Sequence, residues 1–227
     1  MPRTLDPTAY AVRRDAFLDA AEQLMRSRGW DQVTVQDVLD TAGASRGAFY
    51  HYFDSKEALL EAVIDRMTEA GIAVVEPIAA DPDLPAAAKL QAVFSTGGRW
   101  KTERSDLLLA LVRSWYSDEN DLVRLRAARS AAARMTPMLA RIIRQGTAEG
   151  AFSPTSPDDA ATVLMALFTG TGDAFRRLAL DRQDGRTTFD EVERSLAAYE
   201  EAIERILGLP AGSFVLVDTP ALHVWFD

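Results

Sequence analysis

Thr34-Val-Gln-Asp-Val-Leu-Asp-Thr-Ala-Gly43, followed at once by Ala44-Ser-Arg-Gly-Ala-Phe-Tyr-His-Tyr-Phe-Asp-Ser-Lys56, encodes two short helices and a tight turn. Thr34 can cap the first helix, and Asp37, three residues on, can answer it as a weaker capping box. Val35, Val38, Leu39 and Ala42 give that helix one apolar side. Gly43 supplies the residue at which a left-handed stop costs least. After a very short turn Ser45 can cap a second helix, running through about Tyr52.

Two short helices joined by three or four residues, one of them glycine, describe a helix-turn-helix. Such a unit reads DNA only if its apolar residues fix the interhelical angle and its second helix turns polar and small residues into the major groove. Val38, Leu39, Ala42 and Phe49 are the expected buried set. Ser45, Arg46, Gly47, Ala48, Tyr50 and His51 are the expected outer set. Arg46 can reach a guanine edge with two hydrogen bonds. Gly47 and Ala48 allow close approach. Thr34, Tyr50, His51 and Lys56 can donate to phosphates, which sets register rather than sequence.

Outward from this centre the pattern stays helical. Phe17, Ala20, Ala21, Leu24 and Met25 recur at helical spacing over Pro7–Arg28, and Gly29 suits the stop. Asp54, with Glu57 three residues later, predicts a capping box opening a helix that carries Leu59, Leu60, Val63, Ile64 and Met67. Pro77, Pro82 and Pro85 mark Glu76–Pro85 as a link. Helices are then expected over Ala86–Lys101, Ser105–Tyr116, Glu119–Glu149, Pro157–Leu180 and Thr188–Leu207, with Pro137 kinking or splitting the third of these. Phe214–Val217 and Val224–Phe226 are too apolar for a solvated end and should pack on the body or on a partner. The resulting organisation is all-α: a helix-turn-helix domain over 1–56, a helical domain over 57–209, and a tail over 210–227 with no assigned element.

The 227 residues contain no cysteine, which excludes disulfide scaffolds, thiolate metal sites and a cysteine nucleophile. No apolar run approaches the roughly 18 residues of a membrane-spanning helix, and the opening residues lack a secretory apolar core, so a soluble cytoplasmic protein without membrane association is expected. The net charge is -9, but up to Lys56 seven basic residues face eight acidic ones. The acidity therefore lies almost wholly outside the segment that would meet phosphates, where the local face matters more than the sum. His51 and His223 form no metal-ligand spacing, Gly170-Thr-Gly172 is not a nucleotide loop, and no acid–base constellation stands out. No cofactor is expected.

The quoted stretch, extended to Leu60 and joined by the upstream Phe17, Ala20-Ala21, Leu24-Met25 and Gly29, resembles the signature of the TetR/AcrR family of regulators over roughly Arg13 to Val63. The resemblance implies an N-terminal three-helix DNA-binding domain and a C-terminal helical domain that binds a ligand and dimerises. It implies that Thr34 and Gln36 meet the DNA backbone and sometimes a base, that Arg46, Gly47 and Ala48 read bases, and that Tyr50 and Lys56 hold phosphates. His51 falls in a variable slot, Tyr52 stands where the family commonly has His, and Ala44 where it commonly has Val.

For the remainder, the resemblance implies a repressor released from a palindromic operator by a small, largely apolar effector. Phe94, Trp100, Leu108, Leu111, Trp115, Met135, Met138 and Phe168 are the candidate pocket, since aromatics with flexible methionines suit an apolar cavity. Leu164, Phe168 and Phe175 with Leu196, Tyr199 and Ile203 are the candidate homodimer stripes. A hydrophobic carrier or small enzyme, and an interaction module without DNA binding, are the competing readings.

Overall fold

A computed structural model gives the chain over residues 7–115 and 120–226, the side chains of 7, 112–115, 173, 176, 183 and 219 excepted. These described residues form ten α-helices and no strand: α1 (Pro7–Arg28), α2 (Val35–Ala42), α3 (Arg46–Tyr52), α4 (Lys56–Ala80), α5 (Ala86–Thr102), α6 (Ser105–Trp115), α7 (Asp121–Ala148), α8 (Pro157–Gln183), α9 (Phe189–Leu207) and α10 (Thr219–Phe226). The all-α expectation holds. Tyr116 and Glu119, the expected ends of two helices, lie outside the described residues.

Several caps fall where the residue types put them. Thr34 and Asp37 close the capping box of α2, and Gly43 ends it at φ 58°. Ser45 accepts from the Ala48 N–H at the start of α3. The start of α4 differs from expectation by one residue. Ser55, not Asp54, is the cap: its hydroxyl accepts from the Ala58 N–H at 3.2 Å, and its carbonyl accepts the bond from Leu59.

Two prolines leave their helices unbroken. Pro77 lies inside α4, so the link shrinks to 81–85, and Pro137 lies inside α7 without splitting it. A helix-interior proline costs about 3 kcal/mol. Just after Pro137, however, Met138, Leu139, Ile142 and Ile143 are all buried. Burying each such side chain is worth roughly 1.5–3 kcal/mol, which outweighs that loss.

The chain divides into two compact units, but not at the expected boundary. One unit comprises the described residues up to Thr68 together with Asp106–Ala127; the other comprises Glu69–Ser105 with 128–226. The packing groups the residues differently from the expected 1–56, 57–209 and 210–227 division. Leu59, Leu60 and Val63 of α4, Leu107 and Leu111 of α6, and Val123 and Ala127 of α7 share one core with Phe17, Leu18, Met25, Phe49 and Phe53.

The second unit contains the tail, which packs on the body. Phe214, Leu222 and Phe226 are buried. The connecting strand of backbone is held by side chains of α9 and α5. Glu204, only 5% exposed, accepts from the Phe214 N–H at 3.0 Å. That bond, with others from Gly212 and Ser213, holds its carboxyl below the usual range against the opposing effect of burial. Glu200 accepts from the Leu216 N–H at 2.7 Å. Gln91 pairs with Val215 in both directions, donating to its carbonyl at 2.9 Å and accepting from its N–H at 3.0 Å. Glu204→Ala strands the buried Phe214 N–H, and an orphaned donor costs enough to predict about tenfold faster hydrogen exchange at that amide. An unchanged exchange rate would remove the carboxylate as the tail's anchor.

Candidate nucleic-acid interface

The site is built on an aromatic core. The Phe17 ring of α1 stands edge-on to Phe49 of α3 at 5.6 Å and to Phe53 at 6.1 Å, while Phe49 and Phe53 lie 5.7 Å apart. Phe49 is fully buried and Val38 and Leu39 of α2 nearly so. Edge-to-face pairs add specific geometry to the burial, so α3 has a fixed rotation about its own axis.

That rotation sets which residues face out. Ser45, Arg46, Gly47, Tyr50 and His51 are exposed, Tyr50 at 48%, and Ala48 is half-buried. These are the residues expected to meet DNA, brought to one face. Arg28 and Arg66 of the same unit are spent on carboxylates, Arg28 on Asp37 at 2.8 Å and Arg66 on Asp19 at 2.8 Å and on Glu22. Among the described residues Arg46 has no carboxylate within ion-pair distance, so its guanidinium keeps its charge and its donors for a ligand. Tyr52 points the other way, half-buried with its ring 4.6 Å from Tyr10 and 5.8 Å from Phe17. His51 stands edge-on to Tyr10 at 5.9 Å, so the first turns of α1 lie beside the end of α3.

The residues expected at the start of α2 are more committed to local structure. The Thr34 hydroxyl donates to Asp37 Oδ2 at 2.6 Å and accepts from the Asp37 N–H at 3.2 Å. Gln36 donates its amide to Asp40 at 2.8 Å. A phosphate or base contact from either side chain therefore competes with an existing bond. Asp37 is held down to a pKa of about 2 by the Thr34 hydroxyl and N–H and by Arg28. Because the folded value lies below the unfolded one, its stabilising contribution is complete above the unfolded value near 4 and is lost as pH falls toward 2. Thermal unfolding followed between pH 4 and 2 should show this loss, and Asp37→Asn should flatten it. An identical acid profile in the variant would disprove the assignment.

Sequence reasoning passed over Trp30, Tyr10 and Arg14. Trp30 is buried with the Lys56 ammonium over its ring at 4.9 Å, and the Arg14 guanidinium lies 5.7 Å from the Phe53 ring centre. The only signal available was the proximity of each to an apolar helical stripe.

The candidate effector residues are only partly assembled. Phe94, Met135, Met138 and Phe168 belong to one core, where the Phe94 and Phe168 rings lie 4.5 Å apart and Phe94 meets Phe214 at 5.4 Å. Trp100 lies against Gly71 with the Arg104 guanidinium 4.5 Å over its ring. Leu111 and Leu108 belong to the other unit, Leu111 buried in its core; the Trp115 side chain lies outside the described residues. A cavity of about 260 Å³ opens beside the aromatic group, lined by Leu90, Gln91, Ala151, Leu209 and Phe214 among others.

Three residues of the expected dimer stripes are buried within the chain and three are half-buried. Leu164, Leu196 and Ile203 are buried, Phe175 meets Phe226 at 5.8 Å, and Phe168 and Tyr199 are half-buried. On the same two helices Thr162, Val163, Ala166 and Gly170 of α8 and Ala197 and Ala198 of α9 are exposed. No cluster of three or more metal-ligating side chains occurs among the described residues, and none of their helices is long and apolar enough to cross a membrane.

A short helix with an exposed tyrosine and an arginine that has no ion pair among the described residues, held by a buried aromatic set behind a glycine turn, gives the first unit a helix-turn-helix. Residues 17–63 match the model of the bacterial regulatory proteins of the tetR family. This match lies wholly within the first unit. Over 63 residues it is 38% identical to the HTH-type transcriptional repressor KstR2 of Rhodococcus jostii, a match covering 28% of this chain and 31% of that protein. The chain thus spans about a third of the length of that curated relative.

The fold extends further than the sequence match. SmeT, the repressor of the Stenotrophomonas maltophilia multidrug efflux pump SmeDEF, superposes with a TM-score of 0.62 at 22% identity, over 91% of this chain and 95% of that one. RolR, solved in complex with resorcinol, superposes with a TM-score of 0.54 at 22% identity, over 96% and 94%.

Proposed function

We propose that this protein is a ligand-responsive transcriptional regulator, a repressor that binds a palindromic operator as a homodimer and leaves it when a small, largely apolar molecule binds. The observation that carries this reading is the outward face of α3, with Arg46 free of ion pairs among the described residues and Tyr50 exposed over an aromatic core that fixes both. Arg46 reads a guanine edge, Tyr50 and Lys56 hold phosphates, and the hydroxyl proton of Ser45 is free to donate because its oxygen serves as the cap. The KstR2 likeness supports repression.

The effector acts in the second unit. Its apolar group Phe94, Met135, Met138 and Phe168 is packed shut, so a ligand enters by parting the Phe94–Phe168 contact and using the adaptable methionines. RolR shows that this fold elsewhere accommodates a small aromatic molecule, resorcinol. The ligand shifts the operator-binding equilibrium only by its difference in affinity between the bound and released states. Dimerisation through α8 and α9 places two recognition helices on half-sites about one helical turn apart, or a multiple of it.

The test is selection of genomic fragments by the purified protein, followed by salt titration on the enriched site. A near-palindrome bound with a steep salt dependence supports the reading. Failure to enrich any site, with and without aromatic effectors, would sink it.

A further inference from the structure

The geometry points to Trp30 as a positioning residue for DNA binding, holding the Lys56 ammonium ready for a phosphate without neutralising it. This inference rests on the DNA-binding function proposed above.

The arrangement starts at Gly29. Its φ of 77° is open to glycine and strained for other residues, and it turns the chain inward immediately after α1. A single 3-10 turn follows, closed by the Val33 N–H donating to the Trp30 carbonyl at 3.0 Å. Trp30 is thereby 2% exposed, in the same core as Phe17, Phe49 and Leu59. Its ring presents a face to Lys56, the first residue of α4, and the ammonium sits 4.9 Å from the ring centre.

A lysine side chain is long and loses much rotamer freedom when a phosphate fixes it. A carboxylate partner would order it but cancel its charge. An aromatic face attracts the cation through its quadrupole and leaves ammonium N–H donors directed away from the ring. Glu57, the neighbouring acid, hydrogen-bonds to Ser55 and feels Lys56 only through space. Because the ring is anchored in the core that also holds α3, Lys56 and Arg46 keep one register on the phosphates and bases.

The experiment is a double-mutant cycle on the full-length protein. Fluorescence anisotropy would follow binding to a mixed-sequence DNA duplex about three helical turns long, across a salt series. Lys56→Ala should weaken binding and lower the salt slope by about one per half-site. Trp30→Leu should weaken binding about three- to fivefold when Lys56 is present, the scale of one exposed cation–π contact, and scarcely at all in the Lys56→Ala background. Trp30→Phe, which keeps an aromatic face and most of the buried volume, should recover much of the loss; it also serves if Trp30→Leu folds poorly. Equal losses from the Trp30 variants with and without Lys56 would overturn the inference, since a purely structural role gives additive effects. No effect of Lys56→Ala on affinity or salt slope would instead refute the DNA role of Lys56, and the inference would fall with it.

Discussion

Arg46→Ala should collapse the distinction between the selected operator and mixed-sequence DNA. A bidentate arginine–guanine contact is worth about 1–3 kcal/mol of discrimination. With one such contact in each half-site, affinity for the operator should fall roughly a hundredfold or more. Binding to mixed-sequence DNA loses only a positive charge and should weaken by a few fold. Arg46 is exposed and makes no ion pair among the described residues, so the fold should be untouched, within about 0.5 kcal/mol. Tyr50→Phe is the informative contrast. It removes the hydroxyl proposed to hold phosphate and should weaken operator and mixed-sequence DNA alike. Titrations of both duplexes with both variants decide the matter. If Arg46→Ala lowers the two affinities by the same factor, α3 does not read sequence through this residue.

The parts of the site legible in the sequence are those fixed by local chemistry. Thr34 with Asp37, Gly43 and Ser45 act within a few residues of themselves, so a turn of backbone is enough to read them. The outer face of α3 followed from the inward pull of Phe49, which the structure shows fully buried. Reading failed where the outcome depends on chain returning from far away. Leu107, Leu111, Val123 and Ala127 complete the core of the helix-turn-helix unit, but nothing within α6 or α7 announces which core they join. The same holds for α8 and α9. An apolar stripe carrying Leu164, Leu196 and Ile203 looks alike whether it meets its own chain or another, and here it is buried within the unit. Local propensity marks Pro77 as part of a link and Pro137 as a kink or split, because the burial around them is not visible in the sequence. Trp30 was missed for a related reason: its partner Lys56 lies on another helix, and no spacing rule links them.

Gly146→Ala should destabilise the second unit, although alanine is the better helix former by about 1 kcal/mol. Gly146 lies inside α7, one turn from its end. Its carbonyl accepts from both the Ala151 N–H at 2.8 Å and the Phe152 N–H at 3.0 Å, which folds the following chain back over it. The Phe152 ring then rests on the Cα itself. A Cβ at Gly146 would lie 2.1 Å from Phe152 Cδ2, 2.4 Å from Cε2 and 2.7 Å from Cγ. Because the conflict reaches the root of the ring, a small tilt of its far edge cannot relieve it, and Phe152 is 3% exposed with little room to move. Overpacking of this kind costs about 1–3 kcal/mol; a contact this close belongs at or above the upper end, leaving a net loss of about 2 kcal/mol after the propensity gain. Urea unfolding, or a fall in Tm on the order of 5 °C, would register it. Phe152→Leu alone should also destabilise, by leaving a void. In the Gly146→Ala background it should cost much less, because the smaller side chain vacates the space the new methyl needs. Equal costs in both backgrounds, or a Gly146→Ala protein as stable as the parent, would show that the close approach of Phe152 does not govern this position.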